Sequence, residues 1–177
     1  MGSRSQKAEE QKLARLFLFF RFHYAFIEPH ISMITALREK AADIILDDKY
    51  SEYLGFVYEA VIRNRCYELG VEKVIPFIPK STGKWWGNIC EDGEWKGTEA
   101  DVIAYDDDNI VIGECKYRKK AIGMKELDYL KLKARFIPVK GRKVFYLLTG
   151  KSGFTKENRQ DEEFRCCRLY DRLYRGM

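Results

Sequence analysis

Apolar residues recur at helical spacing through the N-terminal part of the chain. They predict three helices, over Leu13–Ile27, Ser32–Leu46 and Ser51–Gly70. The first of these is dense in Leu and Phe, and we therefore expect it to be largely buried. It is expected to end at Glu28-Pro29, because the residue before a proline is disfavoured in a helix.

Beyond the third helix the pattern changes to the alternation and β-branched content of strands. Strands are predicted at Val74–Ile78, from Lys84, and over Thr98–Tyr105, Ile110–Tyr117 and Lys143–Thr149, with a helix at Lys125–Phe136 before the last of them. A short helix at Lys156–Glu163 and a strand or helix at Phe164–Tyr170 follow.

This order of elements predicts an α/β fold. A central mixed sheet with helices on both faces, an α/β/α sandwich preceded by N-terminal helices, satisfies the pattern. We place a boundary between residues 1–49, a helical lead-in, and residues 50–177, which form the α/β domain. We expect the two parts to pack as one unit.

The two central strands form a hairpin around the turn D-D-D-N. If the hairpin is symmetric, Tyr105 faces Ile110 and Asp101 lies directly opposite Glu114. Because side chains alternate along a strand, Lys116 shares a face with Glu114. The hairpin therefore gathers two acids and a lysine on one face.

Two opposed carboxylates need a stabilising partner. Directly paired residues have Cβ atoms roughly 4.5–5.5 Å apart, and like charges there are destabilising. The rest of that face is rich in isoleucine, so burial adds to the cost. A divalent cation such as Mg²⁺ would offset this electrostatic cost, since such ions bind through one or two carboxylates. Glu99, two residues before Asp101, is a further candidate ligand. The alternative is a solvated face on which one acid pairs with Lys116.

Composition and cysteine usage limit the class of protein. The 177 residues suffice for one domain with a substantial core. Five irregularly spaced cysteines, with no C-x-x-C, argue against a zinc site or a disulfide framework and favour a reducing, cytoplasmic setting. The first 12 residues are polar, so no signal peptide is apparent. The most apolar run, Leu16–Ile27, is shorter than the roughly 20 residues of a membrane span.

Positive charge is concentrated after the hairpin. Between Lys116 and Lys156 there are 13 basic residues and two acids, a net charge of +11 within a chain whose total is +5. Such asymmetry is typical of a surface that binds a polyanion. The alternative is a solvated, lysine-rich surface.

At these residues the sequence resembles a nuclease superfamily. Asp101, followed after the turn by Glu114-Cys115-Lys116, matches the D…(D/E)-x-K signature of the PD-(D/E)-x-K nucleases. The segments E-A-D-V-I-A-Y, I-V-I-G-E-C-K-Y, K-W-W-G and L-L-T-G-K-S-G-F-T look like the nuclease-like domain at the C-terminus of archaeal and bacterial P-loop ATPases of the AAA+ class. F-L-F-F-R-F-H-Y…I-E-P fits that family's lead-in. The resemblance runs from about Leu13 to Tyr170.

The resemblance implies a restriction-endonuclease-like fold and a role for each site residue. Asp101, Glu114 and the backbone carbonyl of Cys115 would hold Mg²⁺ or Mn²⁺, and Lys116 would act on the nucleophile or the transition state. The segment G-F-V-Y-E matches the family pattern, which makes Glu59 a further site carboxylate; a merely solvated Glu is the alternative. The candidate contacts to the DNA backbone are Arg118, Lys119, Lys120, Lys131 and Lys133.

Three functions remain open from the sequence. The first is an active DNA endonuclease, in which a homodimer would cut both strands. The second is a binding or regulatory module that does not cleave and works with an ATPase domain in cis or in trans. The third is a scaffold in which the acids and lysines merely pair. The intact set of Asp101, Glu114 and Lys116 favours the first. Because the resembled domain is part of a larger protein, the chain is also a candidate fragment.

Overall fold

A computed structural model describes residues 16–46 and 49–155 of the chain. The chain divides into two compact units between Val57 and Tyr58, and each is described by itself. The elements predicted at Lys156–Glu163 and Phe164–Tyr170 lie outside the described residues.

The first unit is helical. Residues 16–22 form α1, which continues as a π-helical turn, His23–Ile27, and a 3₁₀ turn, Glu28–His30. Helices α2 (Ile31–Leu37) and α3 (Glu39–Leu46) follow. The prediction of one helix over Ser32–Leu46 is wrong, because Arg38 adopts a left-handed φ of 52° and breaks it. A non-glycine residue in that conformation carries no sequence signal.

The expected burial of the first helix is also wrong. Phe17 and Phe19 are each 61% exposed, and Tyr24 is 59% exposed. Phe26 is buried, and its ring meets the edges of Tyr50 and Tyr53. Within the described residues, most of the large apolar side chains of this segment are therefore exposed.

Helix α4 (Tyr50–Val71) leads into the second unit. The prediction that Gly70 ends this helix is nearly correct, but the glycine serves a different purpose. A Cβ at Gly70 would lie 2.5 Å from the carbonyl oxygen of Phe77, so the absence of a side chain allows the following loop to pass against the helix.

The predicted strand Val74–Ile78 is not formed; these residues make a bent loop. The N–H groups of Val74 and Ile75 donate back to the Leu69 carbonyl, and Pro76 has no N–H for a sheet. The side chain of Ile75 is nonetheless buried against the sheet. The apolar pattern there reflects burial of a loop.

The sheet has four strands in the order β1-β2-β3-β4: Ser81–Glu91, Glu94–Tyr105, Asn109–Lys116 and Lys143–Gly150. The first two pairs are antiparallel and the β3–β4 pair is parallel. Helix α5 (Met124–Ala134) lies in the crossover that joins the two parallel strands. The predicted mixed sheet with N-terminal helices is confirmed.

Each face of the sheet carries its own core. Ile62, Cys66 and Leu69 of α4 pack on one face, against Val102 and other small apolar residues. Leu127 and Leu130 of α5 pack on the other, against the isoleucines of β2 and β3. The two helices enclose the sheet as an α/β/α sandwich.

Among the described residues, no helix combines the length and apolar character that crossing a membrane requires.

Candidate active site

The central hairpin has the register that its turn predicts. Tyr105 pairs with Ile110 and Ile103 with Ile112, and the ladder runs to Val102–Gly113. The turn is held by Asp106, whose carboxylate accepts hydrogen bonds from the N–H groups of Asp108 and Asn109. Beyond Val102 the regular pairing stops, so the predicted direct pairing of Asp101 with Glu114 is not formed.

A β-bulge causes this change. Gly83 pairs with Ile103 and Trp85 with Ala100, so Asp101 and Val102 together oppose Lys84 alone. A bulge places two residues against one, bends the strand and redirects a side chain. The Asp101 carboxylate accepts a hydrogen bond from the Cys115 N–H at 2.8 Å, reaching β3 through its side chain.

Asp101 is held by two hydrogen bonds. Its side chain bonds to Cys115, and its backbone carbonyl accepts a hydrogen bond from Arg63 of α4 at 2.9 Å. The residue is only 4% exposed. Burial, and then the charge of Glu114, raise the pKa of Asp101 to about 6, although the Cys115 N–H favours the ionised form. The protein therefore keeps an acid where its charge is costly.

Glu114 is the second buried carboxylate, and it pairs with two lysines. Its Oε1 atom lies 2.5 Å from Nζ of Lys116 on the same strand. Its Oε2 atom lies 2.7 Å from Nζ of Lys133 on α5. Glu114 and Lys116 thus share a face of β3, as their alternation predicts.

Lys133 is where the structure departs most from the sequence interpretation. The sequence predicts that it projects from α5 with Lys131 toward DNA phosphates, but Lys133 is only 3% exposed. Its ammonium donates to Glu114 and to the backbone carbonyl of Glu99 at 2.6 Å, and lies 5.0 Å from the centre of the Tyr129 ring. A buried ammonium with three such partners cannot contact a DNA backbone.

A cleft of about 200 Å³ opens beside these groups. It is lined by Glu114, Lys116, Lys125, Glu126 and Tyr129. Burial works against the charged form of Lys116, but the charge and hydrogen bond of Glu114 outweigh it and raise the pKa of Lys116. Lys116 therefore stands charged at the cleft.

The two auxiliary acids lie in different surroundings. Glu59 on α4 pairs with Lys84 and lies 3.8 Å from Arg63. Its charge contributes to the raised pKa of Asp101, behind the larger effects of burial and of Glu114. Glu99 is exposed, and its backbone carbonyl, not its carboxylate, takes part in the site through Lys133. The structure thus brings Glu59 near the centre and leaves the Glu99 side chain outside it.

The predicted DNA contacts divide into two groups. Arg118 pairs with Glu126, which also accepts a hydrogen bond from the Gly123 N–H at the start of α5. Lys119 and Lys120 are exposed. Arg118 thus supports the helix start, whereas the next two lysines are accessible to a ligand.

Asp101 and Glu114 are the candidate ligands for one hard cation. No group of three His, Cys, Asp or Glu side chains that could hold a metal occurs within residues 16–46 and 49–155. Mg²⁺ binds through one or two carboxylates and completes its shell with waters and substrate phosphates. Asp101 and Glu114 provide such a pair, and the Cys115 backbone lies next to both. The role of the Cys115 carbonyl stays a prediction.

Sequence reasoning missed three residues that hold the acids: Arg63, Lys84 and Lys133. Lys133 had a signal, since it continues the buried stripe of Leu127 and Leu130 at a spacing of three. Arg63 and Lys84 had none, because exposed and buried basic residues look alike on a helix flank or an edge strand.

Residues 23–129 match DUF234, a family described as archaeal and bacterial proteins of unknown function. The match covers more than half of the chain. The chain belongs to the DUF234 family. The part of this DUF234 chain that is matched contains α4 and the hairpin with Asp101, Glu114 and Lys116.

The DUF234 chain is also similar to MJECL04 of Methanocaldococcus jannaschii, a protein described as uncharacterized. The two are 28% identical over 149 residues, which cover 79% of this chain and 30% of the relative. The DUF234 chain thus spans less than one third of that relative's length. No solved structure matches it.

Proposed function

We propose that this DUF234 chain is a metal-dependent nuclease domain that hydrolyses DNA phosphodiester bonds. The proposal rests on one observation above all: Asp101 and Glu114 are both buried, the charge of Glu114 helps raise the pKa of Asp101, and Glu114 pairs with the charged Lys116 at an open cleft. A buried acid whose pKa is raised, as that of Asp101 is, is costly to the fold and typical of a functional site. The residues and their order match the PD-(D/E)-x-K nucleases.

The protein's own groups account for binding and orientation. Asp101 is oriented by the Cys115 N–H, and Glu114 by Lys133. Mg²⁺ or Mn²⁺, when bound by these acids, lowers the pKa of a water and neutralises charge on the phosphate. Lys116, a compact charge on a flexible stem, would stabilise the phosphorane-like transition state or orient the attacking water.

One observation favours a second candidate, a DNA-binding module that does not cleave. Both oxygens of Glu114 are paired with lysines, so a metal must compete for this acid. On this alternative both lysines stay paired with Glu114, and no metal binds there. A P-loop ATPase domain, in the same chain or another, would then supply the activity, and the greater length of the relative leaves room for such a domain.

The experiment that separates these functions is incubation with supercoiled and branched DNA in Mg²⁺ or Mn²⁺, beside Asp101→Asn. Cleavage by the parent and none by the variant supports the nuclease. DNA binding without cleavage in either metal supports the binding module. If the parent neither cleaves nor binds DNA, both proposals are excluded.

Lys119 and Lys120 are expected to contact the DNA backbone. Replacing both with Gln should weaken DNA binding about equally for different sequences and reduce the slope of log affinity against log salt by about 2, because each released counterion contributes nearly one. Fluorescence anisotropy over a series of salt concentrations measures both quantities. Lys73→Gln, at an exposed lysine beyond α4, is the control. An unchanged slope would exclude these two lysines from the interface.

A further inference from the structure

The ammonium of Lys133 has more partners than the ion pair with Glu114 alone. Its ammonium meets a carboxylate, a backbone carbonyl and an aromatic face within one buried space. Its side chain is 4% exposed. Moving it out would leave the buried carboxylate of Glu114 without this partner, which is strongly unfavourable.

Lys116 is held differently, although it pairs with the same acid. Its side chain is 31% exposed and lines the cleft, and its ammonium has Glu114 as its hydrogen-bonded partner. It can turn from Glu114 into the cleft and be solvated there. Of the two lysines on Glu114, Lys116 is thus the exchangeable one and Lys133 the permanent one.

This asymmetry limits how Glu114 can bind a metal. With Oε2 occupied by Lys133, only Oε1 is open to exchange. Asp101 likewise has its Oδ2 atom engaged by the Cys115 N–H. Two adjacent divalent ions bring four positive charges to a site. Asp101 and Glu114 supply two negative charges, and Lys133 already neutralises part of the charge of Glu114.

We infer that the Lys133 ammonium takes the place of a second metal ion beside Glu114 and so restricts the site to a single divalent cation. Lys133 is a positioning residue, since it acts through Glu114. The inference rests on the proposed function, because it takes Asp101 and Glu114 as the metal ligands. Lys116, the exchangeable partner of Glu114, would give way to a bound metal, and its ammonium would then be available to the phosphate.

Titration with Mn²⁺ at pH 8 tests this without any cleavage. Electron paramagnetic resonance of free Mn²⁺ gives the stoichiometry, and calorimetry gives the affinity. We expect one ion per parent chain. Lys133→Met removes the competing charge at similar volume and should bind Mn²⁺ at least about tenfold more tightly, since like charges repel strongly in a buried site. Lys131→Met, which removes the same charge from the same helix, should stay within about twofold of the parent.

The outcomes separate this inference from the proposed function. Two ions bound by the parent with similar affinity, or equal affinities of Lys133→Met and parent, would overturn the role of Lys133 and leave the nuclease proposal standing. If Asp101→Asn binds Mn²⁺ as the parent does, the metal site itself fails and the inference with it. If Lys133→Met does not fold, the Mn²⁺ affinity of Lys133→Gln and the number of ions bound by the parent still test the role of Lys133.

Discussion

Lys116→Met is expected to lose DNA cleavage by about 10²–10³-fold while its DNA affinity stays within about threefold of the parent. The reason is that the ammonium acts where charge develops on the phosphate, whereas Lys119 and Lys120 provide accessible positive charge for the backbone. Single-turnover cleavage and anisotropy on the same DNA separate the two effects. Met retains most of the side-chain volume, so packing near Glu114 is preserved.

Lys125→Met is the matched control for this change. Lys125 lines the same cleft, so its loss removes an equal charge at a different point. We expect it to slow cleavage by less than about tenfold. Cleavage by Lys116→Met at the parent rate would show that the PD-(D/E)-x-K assignment of this lysine is wrong.

Asp101→Asn should be more stable than the parent at pH 7.5, in the presence of a chelator, by about 3 kcal/mol. The folded pKa of Asp101 is raised to about 6, compared with about 3.9 in an unfolded chain. Between these values the folded state holds the proton more tightly, so parent stability falls as pH rises from about 4 to 6. Asn has no proton to lose, and its advantage should vanish near pH 4.

Urea denaturation at several pH values measures this difference, and Asp106→Asn provides a control of opposite sign. Slight burial acts against its charge, but hydrogen bonds from Asn109 and Asp108 lower the pKa of Asp106. That acid stabilises the fold above its unfolded pKa, and the contribution is lost as pH falls. Asp106→Asn should therefore be the less stable protein at pH 7.5. Equal stabilities of Asp101→Asn and parent across this range would contradict the account of the buried acid.

Much of the fold follows from local sequence signals. The turn at Asp106–Asn109 fixes the hairpin register, and with it the pairing from Tyr105–Ile110 onward, because an antiparallel register is set where the chain reverses. Leu127 and Leu130 likewise predict α5 and the face it buries. These signals are local and do not depend on the rest of the chain.

The predictions from sequence fail where the burial of a residue differs from what its type usually shows. Lysine is almost always exposed, so the position of Lys133 on a buried stripe was outweighed by its chemistry. Ile75 has the burial of a strand residue but lies in a loop beside Pro76. The bulge at Asp101 depends on long-range pairing with β1 and leaves no mark in the local sequence.

The site was thus predicted in part. Asp101, Glu114 and Lys116 follow from the hairpin and the D…E-x-K pattern, and the structure places them together. The network that holds them could not be predicted, because Arg63 and Lys133 come from helices on opposite faces of the sheet. Which helix residues meet at a strand depends on packing that a linear pattern does not encode.

The central claim is that Asp101 and Glu114 together hold a divalent metal ion. Isothermal titration of the parent and of Asp101→Asn with Mn²⁺, at pH 8, tests it most directly. We predict saturable binding by the parent and at least about a hundredfold weaker binding by the variant, since one of two charged ligands is lost. Equal binding by the two proteins, or none by the parent, would contradict the account.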